Sequence, residues 1–260
     1  MSQKSLGRGD HFRKIVGVQL TQPLPKNRQI YGRWDAIVRC YNDERDQNHD
    51  NHSLLIGQQW SRQSEQLDLS VNLQHYRLDN SLYRALYGPS LGWSKALDMD
   101  LTLQLRSSWL RLEHPDISWR DSQQLLFNLR LYGTLDLAYS PTWFAGAFWG
   151  NEWSDNQSVV SKASVDRHFS GLQTGTQLSI AEDWSLLLAA TAQGSNYDGQ
   201  DWIYGLVRDD SYHSIDLELK HLLDANWQLS LNFNYSKNKS NIELYEYDRR
   251  QLSLALRYEF

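Results

Sequence analysis

Along almost the whole chain, apolar side chains recur at every second residue, and that spacing restricts the fold more than any other feature. The closing stretch "QLSLALRYEF" places Leu252, Leu254, Leu256, Tyr258 and Phe260 on one face and Gln251, Ser253, Ala255, Arg257 and Glu259 on the other. A period of two is that of a pleated strand, whose successive side chains point to opposite faces. "LDLSVNL" at 67–73, "LTLQL" at 101–105 and the stretches 125–137, 172–180, 184–192, 215–219 and 227–235 repeat it. No long window carries a helical period, and "WFAGAFWG" and "WSLLLAATA" fall short of the roughly 18 apolar residues a membrane helix needs. The chain reads as all-β.

Alternation alone would also suit a soluble sandwich. The polar phase argues otherwise, because it carries what a packed core rejects. Gln228, Ser230, Asn232 and Asn234 share one strand, and Asp216, Glu218 and Lys220 share its neighbour. An arrangement with apolar residues outside and polar residues inside accounts for both phases. The connections agree: short ones at 140–142, 181–183 and 224–226 alternate with long polar ones at 42–52, 77–89, 112–121, 155–166, 195–211 and 236–246. Short turns at one end and long loops at the other mark a transmembrane antiparallel up-and-down outer-membrane β-barrel. Trp143, Trp184 and Trp227 each follow a short turn, and with Tyr258 and Phe260 they form the expected aromatic girdle against outer-membrane lipid.

The pattern predicts thirteen strands, at 11–21, 28–41, 53–62, 67–76, 88–96, 100–111, 123–139, 143–154, 167–180, 184–194, 211–222, 227–237 and 247–260. Bacterial single-chain barrels have even strand numbers. The expectation is therefore about 14, with the first strand in or before residues 1–10; a count of 12 is the rival if 11–21 is no strand. Residues 1–10 read as a polar N-terminal segment or remnant of that first strand, and 11–260 as the barrel domain. The start lacks the apolar core of a secretory signal, which fits the C-terminal part of a longer protein. The lone Cys40 excludes an internal disulfide, and a net charge of −5 excludes a generally basic nucleic-acid surface.

The segment "NKSNIELYEYDRRQLSLALRYEF" resembles the close of the β-barrel domain in surface lipoprotein assembly modulators, where a Ser-Asn-Ile, Tyr-x-Tyr-x-Arg motif precedes the last strand. The opening "GRGDHFRKIVGVQLTQPL" resembles that domain's early strands. The resemblance implies a fourteen-stranded barrel in the bacterial outer membrane, there preceded by tetratricopeptide repeats that this chain does not carry. It implies transport of lipoproteins to the cell surface, with a surface lipoprotein client and the barrel-assembly machinery as partners. A diffusion porin and a polysaccharide-export barrel are the alternatives.

Tyr245, Tyr247 and Arg249 share a phase with Arg257, so all four should face the lumen. There they would line a gate, or stiffen the seam by pairing with acids such as Asp216 or Glu218. His49 and His52 with Asp46 and Asp50 could ligate a metal on a loop; the preferred reading is a solvated acidic loop, with no metal and no cofactor. His75, His168, His213 and His221 lie near strands, but no motif sets a nucleophile beside a base, and the chain is expected not to be an enzyme. A hydrolase would need a Ser–His pair at the edge of the lumen or the lipid.

Overall fold

The computed structural model describes residues 11–41, 48–98, 100–156 and 158–258, with backbone alone at 11–15, 39–41, 257 and 258. Within them thirteen strands run in order: β1 (His11–Leu24), β2 (Arg28–Tyr41), β3 (His49–Arg62), β4 (Glu65–Leu78), β5 (Ser81–Asp98), β6 (Leu101–Glu113), β7 (Ser122–Thr134), β8 (Thr142–Ser154), β9 (Arg167–Ala181), β10 (Trp184–Gln200), β11 (Val207–Leu222), β12 (Trp227–Ser240) and β13 (Tyr247–Tyr258). A short helix, α1 (Val159–Ser164), interrupts one connection. Each strand pairs antiparallel with its neighbours in sequence, so the sheet is a continuous up-and-down meander.

The sheet is curved, and its polar face is the concave one. Tyr31 of β2 donates to Asp68 of β4, Arg106 of β6 reaches the same carboxylate at 3.2 Å, and Arg130 of β7 reaches Gln173 of β9 at 3.2 Å. Next-but-one strands lie about 9.5 Å apart, so only side chains converging on a concave surface can bridge them. Ring contacts on the apolar face, Trp34–His52, Phe127–Trp149 and Trp184–His221, join adjacent strands only. The curl brings β1 beside β13, with Cα atoms within 8 Å, although no hydrogen-bonded ladder joins these two among the described residues.

Burial is inverted relative to a water-soluble domain. Leu20, Leu172 and Leu252 are 72, 65 and 64% exposed, whereas Ser122 and Ser154 are 0 and 1% exposed. A one-residue slip would exchange the two faces, so thirteen strands keeping one chemistry outside requires a register held throughout. Part of that register is set by side-chain shape. The Phe148 ring covers Gly171 across the β8–β9 ladder, and Phe169 covers Gly150, so that a Cβ on either glycine would collide with the ring.

The thirteen strands read from the pattern are present among the described residues, the expected fourteenth lies outside them, and several boundaries move. The loop expected over 77–89 is a two-residue turn at Asp79 and Asn80, with φ of 47° and 61°; Asp and Asn tolerate this left-handed region and close a tight hairpin. The strand expected to reach 139 ends at Thr134. Leu135 N–H turns back to Pro141 O (2.9 Å), and Tyr139 and Ser140 take positive φ, making 135–141 a folded connection. The loops expected at 195–211 and 236–246 shrink to 201–206 and 241–246, because β10, β11 and β12 extend past the apolar band. Phe260 and residues 1–10 lie outside the described residues.

Candidate functional site

The connections at the end where β1 begins fold inward over the polar face and build the most elaborate side-chain cluster of the described chain. It starts in the ladders. Glu152 of β8, Arg167 of β9 and Tyr197 of β10 are successive partners in register, all on the polar face. The Arg167 guanidinium meets Glu152 at 2.8 Å and the Tyr197 hydroxyl at 3.4 Å, and Ser122 donates to Glu152 at 3.0 Å. On β11, Arg208 and Asp210 are two residues apart and therefore side by side. They pair through two bonds, with Arg208 Nε donating to Asp210 Oδ1 at 3.0 Å.

Arg208 joins this wall to the loops. Its guanidinium carbon lies 4.5 Å from the centre of the Tyr197 ring and 3.5 Å from that of Tyr245, so a cation is held between two aromatic faces. Tyr245 sits in a single 3-10 turn, Glu243–Tyr245, and its hydroxyl donates to Asp201 Oδ2 at 3.2 Å. The other Asp201 carboxylate oxygen accepts the N–H groups of Ile203 and Tyr204 at 2.9 and 3.0 Å. Burial raises the Asp201 carboxyl, but these two N–H groups, the Tyr245 hydroxyl and the Arg208 charge outweigh it and hold the group below its ordinary value. Burial pushes the Tyr245 phenol up, and the Asp201 charge adds to it.

Asn241 pins the last connection by accepting from Asp209 N (2.9 Å) and donating to Val207 O (2.7 Å), and Asn238 donates to Tyr245 O at 2.9 Å. Ile242 beside it is 1% exposed. Across the same end, α1 is capped by Ser158, whose hydroxyl accepts from Ser161 N at 3.1 Å. It lies over the polar face so closely that a Cβ at Gly199 would strike the Ala163 and Lys162 backbone. A smaller cluster stands over β4–β6, where Arg120 donates to Tyr83 at 2.9 Å and His114 packs edge-on to the Tyr83 ring. Burial first, then the Arg84 charge, lowers the His114 imidazole, against the pull of Asp121.

Of the residues expected to form a gate, Tyr245 belongs to this cluster, although it sits on a loop and not above β13. Tyr247 and Arg249 lie on the polar face of β13 opposite Asn238 and Ser236, and Arg257 lies opposite Gln228. Pairing with Asp216 or Glu218 does not occur for Tyr245, Tyr247 or Arg249. Asp216 accepts from Asn234 at 2.6 Å, and Glu218 meets Lys220 at 3.1 Å, because same-face neighbours lie closer than the next strand but one. Trp143, Trp184 and Trp227 sit on the apolar face at the opposite end, Trp184 stacked on His221 at 4.1 Å, and the Tyr258 backbone is in register with Trp227. His49 and His52 belong to β3 and not to a loop. Three residues apart on a strand, they point to opposite faces and cannot share a metal; Asp46 lies outside the described residues.

Arg208, Asp210, Asp201, Tyr197, Arg167 and Glu152 were not singled out from the sequence. "RDD" at 208–210 places Arg208 and Asp210 in the polar phase, which is the one local signal available. Ser211 Oγ and His213 Nε2 do meet, at 3.2 Å, but on the apolar face, and no acid orients the imidazole among the described residues. Elsewhere on the polar face Arg33 meets Asp35 at 2.7 Å, whereas Arg130 reaches the neutral Gln173 at 3.2 Å.

Among curated proteins no sequence match is found. A solved structure, the beta domain of the Bordetella autotransporter BrkA, aligns over 97% of this chain and 99% of that one at 11% identity, with a TM-score of 0.27, too low for any argument about topology. The family model for the surface lipoprotein assembly modifier matches residues 14–260, the whole meander from β1 to its close. This inside-out sheet of thirteen strands belongs to the surface lipoprotein assembly modifier family.

Proposed function

We propose that the chain closes into a β-barrel in the bacterial outer membrane and moves lipoproteins to the cell surface. The family match over residues 14–260 carries this reading. Inverted burial supports the membrane location, since unpaired sheet edges and exposed polar backbone are excluded from lipid. β1 and β13 run in the same direction, both starting at the loop end. A fourteenth strand, antiparallel to both, would enter this seam by parting it from within 8 Å to about 9.5 Å, the spacing of next-but-one strands, and would leave no edge. By the usual orientation of such barrels the long connections are extracellular, so the Arg208–Tyr245 cluster stands at the exit of the lumen. Its role in this reading is a latch: it holds two loops over the opening until a client displaces them. No bond is made or broken in the client, and the chain acts without chemistry or cofactor. The barrel-assembly machinery inserts it.

The test is surface display of a lipoprotein co-expressed with the chain, read by antibody labelling and protease shaving of intact cells. The client should be accessible when the chain is present and lost when it is deleted, at equal total client. Equal surface labelling without the chain would overturn the reading. A diffusion porin or polysaccharide-export barrel is the second reading, favoured by the inward rings Phe144, Phe148 and Phe169. These rings are engaged with the glycines beside them, Gly175, Gly171 and Gly150, which leaves less ring face for a sugar.

A further inference from the structure

We infer a binding site for phosphate-bearing lipid headgroups on the outer face of β12 and β13, resting on the barrel reading above. Lys237 and Lys239 are on the apolar-side phase of β12. His213 of β11 is opposite Lys237, and Arg250 of β13 is opposite Tyr235, diagonal to Lys237. Diagonal and same-face neighbours on a sheet stand about 7 Å apart, so three cations fall within reach of one headgroup. None of the three forms an ion pair among the described residues. Arg250 lies over the Tyr235 ring at 5.9 Å, and Asp248, directly opposite Lys237 on the same face, accepts from the Tyr235 hydroxyl at 3.0 Å, so three cations and one acid leave the patch net positive. Two other outward cations are neutralised in place. Outward-facing Arg111 is neutralised by Glu113 at 3.0 Å and Asp155 at 2.9 Å, and outward-facing Lys95 by Glu65 at 3.1 Å.

Position along the strand identifies the ligand. On β12 the outward residues Leu229, Leu231 and Phe233 run from Trp227 to Tyr235, and β13 adds Leu252, Leu254 and Leu256. Nine residues of strand extend about 27 Å, the length that a tilted strand needs to cross the hydrocarbon. Trp227 and Tyr235 then mark the two interfaces, and Lys237, Lys239 and Arg250 stand at the depth of the outer-leaflet phosphates. A row of unpaired cations there complements phosphate and not an apolar chain.

The full chain is folded in detergent micelles, its strand content checked by circular dichroism and its resistance to unfolding by gel mobility with and without heating. It is then titrated with bisphosphorylated lipid A and with the same lipid dephosphorylated, bound lipid being counted by native mass spectrometry. The wild-type chain should prefer the phosphorylated lipid. K237Q/K239Q/R250Q should weaken its binding about a hundredfold and R250Q alone about fivefold, while R111Q leaves it unchanged. Equal binding of the two lipids by the wild-type chain would overturn the site. So would a triple variant that binds normally yet fails to export the client, which would make the patch a contact for an acidic protein. A chain that forms no heat-resistant, strand-rich species overturns the barrel itself, and is recognised before any lipid is added.

Discussion

Removing the Arg208 charge tests the latch directly. In Arg208→Gln the guanidinium leaves two aromatic faces, at 4.5 and 3.5 Å, and leaves Asp210 without its partner. The Arg208 and Asp210 side chains are only 16 and 7% exposed, so water cannot compensate in place. Each ring contact is worth about 1 kcal/mol where water reaches it and about 2 kcal/mol when desolvated. Breaking a buried ion pair from one side costs about 3 kcal/mol or more. Asp210 can relieve part of that by drawing in water as the loops open, and a net loss of about 3 kcal/mol falls on the segments Arg208 holds, 201–206 and 241–246. The ladders of β10–β12 do not depend on this side chain, so the strands stay protected. Hydrogen exchange read by mass spectrometry on the folded chain should show those two segments exchanging about a hundredfold faster, with the strands unchanged. Arg208→Lys keeps the charge without the planar stack and should fall between. Unchanged protection of both segments in Arg208→Gln would refute the latch. Loss of protection across β10–β12 as well would refute the separation of latch from wall.

Three further outcomes follow from the geometry. His114 is held below its ordinary value of 6.5, so the native segment disfavours its proton; the resulting stability is present above that value and is lost as pH falls below it. Exchange in 114–121, corrected for its intrinsic rate, should therefore quicken between pH 7.5 and pH 5, and the quickening should vanish in His114→Gln. Gly171→Val drives a side chain into the Phe148 ring and the Ala192 carbonyl and should cost about 2 kcal/mol, seen as a lower unfolding temperature on a heated gel, while Gly194→Ala, with nothing near its Cβ, should change nothing. Ser211 is not a nucleophile in this reading: a fluorophosphonate probe should leave the folded chain unlabelled, and Ser211→Ala should export the client normally.

What was legible beforehand depended on range. The period of two is a property of neighbouring residues, so the thirteen strands and their outward residues could be read directly, down to Trp184 and Trp227 at the strand heads. The turns were legible only where their chemistry is strict. "RLDNSLYR" looked like a loop because only Leu78, Leu82 and Tyr83 interrupt its polar residues, yet Asp79 and Asn80 close it in two. "TLDLA" kept its phase into 137 and still left the sheet, because alternation does not record where a hydrogen-bonding partner ends. Tyr247 and Arg249 lie in register with Asn238 and Ser236, and which acid stands nearest to them is a matter of stagger between strands, which no local spacing records.

Composition and spacing alone determined that this chain is all-β, that one face of each strand is apolar and the other polar, and where most strands begin. Only the tertiary structure decided how near β1 comes to β13, which side chains bridge next-but-one strands, and that Arg208, Tyr245 and Asp201 meet. The physical reason is reach. A side chain's face follows from its own position along the strand, whereas a cation between Tyr197 and Tyr245 depends on the summed curvature of the sheet and on the path of two loops, which no local spacing encodes.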